Sequence, residues 1–308
     1  MGGFEPMAAG IEKRAVSAGR ADGSSVRLLS SESARRIAEE SGVSLRDVEK
    51  TALSSGVIPE RYVRNFDSLC LDDQKRLMDA TVAVVGLGGL GGCVCELLAR
   101  AGIGHLILID GDRFEDSNLN RQLLATMDTI GKAKTQVAYD RLQAVNPAVE
   151  AILRNGYLSA ATATGWLAGA SVVVDCLDNL KDRFLLERAA KALEVPMVSA
   201  ALAGGFGQLM TIYPEDEGLS LVYGPVDTAP EKGAEVHLGT LGFTAALMAS
   251  LECAEVIKIL TGKGEVVRNR LLVMDLWNSR LDILPLQSDV RYGEGGTSCH
   301  EDRCPSES

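Results

Sequence analysis

The stretch Thr81-Val82-Ala83-Val84-Val85-Gly86-Leu87-Gly88-Gly89-Leu90-Gly91 decides the architecture. Its first five residues are apolar or β-branched and read as a strand buried on both faces. Its last six satisfy G-x-G-x-x-G and open a helix expected over 89–102. Glycine in that setting allows a tight turn and lets the backbone approach a phosphate. The helix N-terminus then faces the anion with its partial positive charge. Asp110 ends the next expected strand, 19 residues beyond Gly91. A carboxylate there can accept hydrogen bonds from both ribose hydroxyls. Gly86, Gly88, Gly89, Gly91 and Asp110 therefore predict a nucleotide site. The glycines alone do not separate ATP from NAD.

Outward from this unit, strands and helices alternate. Strands are expected at 81–85, 105–110, 149–153, 171–175 and 196–200, with helices at 67–80, 89–102, 131–144, 157–168 and 179–194. Strands of Val, Ile and Leu separated by helices imply an α/β fold. Its Rossmann-like, mostly parallel sheet is covered by helices on both faces. After Gly204 the pattern changes: 208–213, 271–276 and 281–286 read as antiparallel strands, with a loop at 214–238 and a long helix at 239–262. Before the sheet, 31–40 and 44–54 read as two short helices, the second opening on Ser44 and Asp47 as a capping box. The expected organisation is a disordered N-terminus at 1–25, a small helical appendage at 26–60, the main domain at 61–287 and a flexible tail at 288–308. A helix-turn-helix is compatible with the appendage, but small helical hairpins also serve as packing elements.

Composition narrows the function. The chain has 308 residues, 46% hydrophobic and 24% charged, ample for one large core. A net charge of −11 repels phosphate backbones and argues against nucleic acid as a partner. Glu252, Glu255 and Lys258 interrupt the longest apolar helix, so no membrane span is expected. Seven scattered cysteines and the lack of a secretory signal fit a reducing, cytoplasmic setting.

Residues after Asp110 argue for ATP. Asp112, Asn118, Asn120, Arg121 and Lys134 place polar or cationic groups just past a ribose-binding strand end. A carboxylate that attacks an α-phosphate builds negative charge on the phosphoryl oxygens, and fixed cations and amides lower that barrier. Asp178 follows the strand ending at Asp175, at the carboxyl end of the sheet, where it could hold Mg²⁺ against phosphates.

With Arg61-Tyr62-Val63-Arg64, the glycine loop, Ser117-Asn118-Leu119-Asn120-Arg121-Gln122, Gly131-Lys132-Ala133-Lys134 and Asp175-Cys176-Leu177-Asp178-Asn179, the sequence resembles the ThiF/MoeB/HesA adenylyltransferases over roughly 58–285. These are relatives of the ubiquitin-activating enzymes. The resemblance implies that Asp110 binds ribose, Arg121 and Lys134 contact phosphates, and Asp178 sits by magnesium and the α-phosphate. It implies a homodimer in which Arg64 reaches the γ-phosphate held by the other subunit. The implied substrate is a small ubiquitin-fold carrier whose Gly-Gly terminus threads under a crossover loop, here 214–238.

The sequence departs from that family in its cysteines. Many members hold a structural zinc with two Cys-x-x-Cys pairs. The first pair is missing at 219–224, and only Cys299, His300 and Cys304 stand near the end, so no intrachain zinc is expected. Some members use a crossover-loop cysteine for a thioester, yet none occurs between Cys176 and Cys253. Adenylation without an enzyme thioester is the leading expectation. The alternatives are a peptide-terminus adenylating enzyme, a tRNA-modifying dehydratase of the same superfamily, and a regulatory nucleotide-binding module.

Overall fold

The computed structural model describes residues 4–19, 23–227 and 235–286. The N-terminal part contains α1 (Phe4–Arg14), β1 (Val16–Gly19), β2 (Ser25–Leu29), α2 (Ser31–Ser41), α3 (Leu45–Ser54) and β3 (Val57–Pro59). A 3₁₀ segment, Glu60–Asn65, leads to α4 (Leu71–Asp79). Next come β4 (Thr81–Val85), α5 (Gly89–Ala101), β5 (His105–Asp110), α6 (Lys134–Val145), β6 (Glu150–Asn155), α7 (Ala163–Leu167), β7 (Val172–Asp175) and α8 (Leu180–Ala192). The chain continues through β8 (Met197–Ala203), β9 (Phe206–Ile212), α9 (Ser220–Tyr223), α10 (Glu235–Leu238), α11 (Gly242–Thr261), β10 (Arg270–Asp275) and β11 (Arg280–Pro285).

Eight strands form the main sheet in the order β11-β10-β9-β8-β7-β4-β5-β6. From β6 to β8 neighbours run parallel, and from β8 to β11 they run antiparallel. The fold class read from the sequence is therefore the observed one. One core holds residues of α5, α6 and α11 against the sheet, and a second holds residues of α7 and α8 against the other face. Strand β4 lies between β5 and β7, so the chain reverses its direction of winding there. Ligands of open α/β sheets bind at the carboxyl ends of strands at such a point. Register places Val85 beside both Ile109 and Asp175, so the glycine loop emerges level with the ends of β5 and β7.

The N-terminal part corrects two expectations. Residues 4–19 are not disordered, because Met7 and Ile11 are buried with Ile37, Val48 and Leu29 in a small core. The appendage is not purely helical either. Strands β1, β2 and β3 form a three-stranded sheet, antiparallel then parallel. The expected cap of α3 is present, with Ser44 accepting from Asp47 N at 3.1 Å. Arg61 joins this part to the main domain. It pairs with the buried Glu49 at 3.1 Å and donates to Asn146, whose amide also donates to Tyr62 Oη at 2.9 Å. The region 157–168 also differs from expectation. Only Ala163–Leu167 is helical, because the Thr162 hydroxyl accepts from Ser159 N and closes a local turn before it. The tail at 288–308, with Cys299, His300 and Cys304, and residues 228–234 of the 214–238 loop lie outside the described residues. Among the described residues no helix is long and apolar enough to cross a membrane.

Candidate nucleotide site

A cleft of about 690 Å³ opens at the carboxyl ends of β4, β5, β6 and β7. The glycine loop forms its floor. Gly86 has φ +89°, and a Cβ there would lie 2.6 Å from the Cys176 carbonyl oxygen. A Cβ on Gly91 would lie 1.8 Å from the Gly86 carbonyl oxygen, so this third glycine lets helix α5 pack onto the loop. Gly86, Gly88 and Gly89 line the cleft, whereas Gly91 lies behind the lining.

Asp110 braces the loop. Its carboxylate accepts from Leu87 N at 2.7 Å and Asp112 N at 2.7 Å, and each oxygen keeps a further lone pair for a ribose hydroxyl. Lys134 begins α6 and is buried, with Nζ 2.9 Å from Asp112 Oδ2 and 4.0 Å from Asp110 Oδ2. Burial alone would push the Asp112 carboxyl up, but hydrogen bonds from Tyr157 and Lys134 hold it below the usual carboxylate range.

Arg121 lines the same cleft. Its guanidinium donates to Ser117 O at 2.8 Å and to Asn120 Oδ1 at 2.9 Å, two neutral acceptors that leave its charge for an anion. Asn118 and Asn120, expected at the nucleotide, do not line the cleft. Asn118 accepts from Glu115 N at 3.1 Å and caps a short turn, while Asn120 holds Arg121 and donates to Thr240 O at 3.3 Å. Asp178 is exposed and lines the cleft across from this group. Arg64 is exposed on the 3₁₀ segment and is not among the lining residues of its own chain.

Sequence reasoning gave no role to three residues that matter here. Gln122 is buried, lines the cleft and leaves Oε1 without a partner, so it presents a polar atom that a ligand can satisfy. Tyr157 lines the cleft and donates to Asp112 Oδ1 at 2.6 Å. Arg183 donates to Ala200 O at 2.8 Å and to Leu177 O, and lies 3.5 Å from Asp175 Oδ2, so it braces the turn that carries Asp178. Gln122 stood inside a quoted motif. Tyr157 carried no local signal, because Asp112 lies 45 residues away, and Arg183 gains its role only when α8 folds back over the turn after β7.

A buried acidic group underlies this turn. Asp175 is fully buried and accepts from Ser199 Oγ at 2.6 Å. Burial pushes its carboxyl up, against the pull of Arg183. Glu252 of α11 is also fully buried, with Cys176 Sγ 3.8 Å from Oε2 and with Oε1 unpartnered. Burial, then Asp175, pushes the Glu252 carboxyl up. Burial, then Glu252, does the same to the Cys176 thiol.

Comparison with known proteins agrees with this geometry. The ThiF family model matches residues 61–292. The sulfur carrier protein ThiS adenylyltransferase of Escherichia coli K12 is 36% identical over 205 residues, covering 66% of this chain and 81% of that protein. The SAMP-activating enzyme E1 of Haloferax volcanii is 31% identical over 251 residues, covering 79% of this chain and 92% of that protein. A crystal structure of E. coli MccB with succinimide superposes with a TM-score of 0.62 at 21% identity, covering 82% of each chain, and shares the fold. The match to the family model across most of the chain, with the cleft where the motifs converge, establishes that the chain belongs to the ThiF family.

Proposed function

We propose that this ATP-dependent adenylyltransferase activates the C-terminal Gly-Gly carboxylate of a small ubiquitin-fold carrier as an acyl-adenylate, without an enzyme thioester. The observation that carries the reading is the convergence of the glycine loop, Arg121, Lys134 and Asp178 on one cleft. Those elements are separated by between 13 and 44 residues along the chain, yet all line the cleft or pack its floor. Relatives named for activating the carriers ThiS and SAMP support the substrate class.

In the proposed step a carrier carboxylate oxygen attacks the α-phosphorus of ATP. The bond from that phosphorus to the bridging oxygen breaks, and pyrophosphate leaves. Asp110 holds the ribose, and the amides of the glycine loop hold the phosphates. Lys134 and Arg121 balance the charge that grows on the phosphoryl oxygens. Asp178, an exposed carboxylate at the cleft, suits a hard divalent cation, and Mg²⁺ held there would neutralise phosphate charge. Arg64 is assigned to the nucleotide of a second copy in a homodimer. Residues 61–287 carry the chemistry and 26–60 support it through Arg61 and Glu49.

Cysteine placement supports the absence of a thioester. Among the described residues, Cys93, Cys95, Cys176 and Cys253 are buried, the exposed Cys70 does not line the cleft, and Cys176, which reaches it, is held as a thiol rather than a nucleophilic thiolate. The free thiols at all five described cysteines also suit a reducing cytoplasm.

ATP–pyrophosphate exchange tests the reading. Exchange is expected to rise with a Gly-Gly-terminated carrier, and to stay at background with tRNA or short peptides. Stimulation by a peptide or by tRNA would move the substrate to those classes. No exchange with any of them would leave a regulatory nucleotide-binding module.

A further inference from the structure

Strand order fixes the direction in which a nucleotide lies. The glycine loop follows β4, Asp110 ends β5, and Gly156, Tyr157 and Leu158 follow β6. Phosphates at the loop and ribose at Asp110 therefore place the base toward the end of β6, where Tyr157 and Leu158 line the cleft.

Tyr157 is 71% exposed, yet it is fixed at both ends of its side chain. Its ring lies against the Gly111 backbone: a Cβ added there would meet three ring atoms at 2.9 Å. Its hydroxyl donates to Asp112 Oδ1 at 2.6 Å, and Asp112 Oδ2 accepts from Lys134 Nζ at 2.9 Å. An aromatic ring that is immobilised and open to a nucleotide cleft is a stacking platform, since every base has a π-face. The same residue is linked through one carboxylate to the cation nearest Asp110.

We propose that Tyr157 is a nucleotide-binding residue whose ring packs on the adenine and whose hydroxyl, through Asp112, positions Lys134 for the phosphates. The inference rests on the ATP reading above. The two parts of the side chain then act separately. The ring sets ATP affinity, and the hydroxyl sets the rate of the chemical step. Gly111 is part of the device, because any side chain at that position would displace the ring.

Three variants of the full-length protein separate these effects, read by calorimetric titration with ATP–Mg²⁺, by the kcat of carrier-stimulated exchange, and by Tm. Tyr157→Ala is expected to weaken ATP binding about tenfold, the scale of one base–aromatic stack. Tyr157→Leu is expected to do the same. Tyr157→Phe restores affinity to within about twofold of the wild type while its kcat falls about tenfold. Tm stays unchanged in all three, because the side chain is exposed and makes one hydrogen bond. Equal ATP affinity in wild type and Tyr157→Ala overturns the adenine contact, and so does a Phe variant that binds as weakly as Ala. Full kcat in the Phe variant overturns the positioning of Lys134. A large drop in Tm with Ala would assign the residue to folding and overturn both. If the wild-type protein itself binds no ATP, the parent reading fails, an outcome distinct from any of these.

Discussion

Two groups of charged residues flank the glycine loop, one after β5 and one after β7, and they differ in their access to water. The first joins Asp110, Asp112, Lys134 and Tyr157, and opens to the cleft, with the Asp112 side chain 48% exposed. The second joins Asp175, Arg183 and Glu252, and is almost entirely closed to solvent. An ion pair at the edge of a cleft can exchange its partner for a phosphate at small net cost, because water compensates the charges during the exchange. A buried pair cannot, because a charge left alone there has lost its hydration. The first group is therefore suited to hold a ligand, and the second to hold the shape of the turn that carries Asp178.

Substitutions in the two groups should act differently. Lys134→Ala is expected to lower the kcat of ATP–pyrophosphate exchange about 10²–10³-fold, the scale for removing one preorganised charge-stabilising group, with a smaller effect on stability. A Tm collapse with little loss of specific activity would reverse the roles of the two groups. Arg183→Leu acts on the other group. It leaves Asp175 buried without its cation and is expected to destabilise by about 3–5 kcal/mol, measured by denaturant unfolding. A variant as stable as the wild type would show that Asp175 is held by Ser199 and Leu177 N alone.

Glu252→Gln tests the buried group with a sign that depends on pH. The folded-state pKa of Glu252 lies well above its ordinary value of 4.5. Its contribution to stability is therefore full below that value and is lost as pH rises through the folded pKa. Glutamine does not ionise, so the variant's stability relative to wild type should grow as pH rises above 4.5 toward neutral, measured by denaturant unfolding across that range. Asp175, Cys176 and Arg183 face the same carboxyl and are left in place. A stability difference that stays constant with pH would mean that Glu252 keeps its charge beside Arg183. The smallest effect is expected from Cys176→Ala. Exchange activity should remain within about threefold and stability should fall by about 1 kcal/mol, the ordinary cost of a small core change. Loss of exchange would bring a thiol back into the chemistry.

Much of the main domain was legible because its signals are local. Each of the eight strands of the large sheet overlaps a stretch read as a strand, and the glycine loop sits at a strand–helix junction as its spacing requires. The helix expected at 157–168 failed because an apolar-containing stretch of that length fits a helix equally well, and the turn at Ser159 and Thr162 settled the matter. Helix α1 escaped notice because Phe4–Arg14 is poor in large apolar residues. Its order comes from Met7 and Ile11 meeting Ile37, which lies far along the chain. The three-stranded N-terminal sheet escaped for the same reason, since β1 and β3 are short and gain their hydrogen bonds only from β2.

At the glycine loop, residue types alone specify that a strand turns into a helix through four glycines, and that anionic and cationic residues follow. Those are properties of backbone sterics and of residue type, so they need no tertiary contact. The folded chain alone settles which charges meet. It set Lys134 against Asp112 and within reach of Asp110, closed Arg183 over Asp175, and laid Tyr157 on Gly111. Electrostatic energy depends on distance and burial, and sequence separation specifies neither.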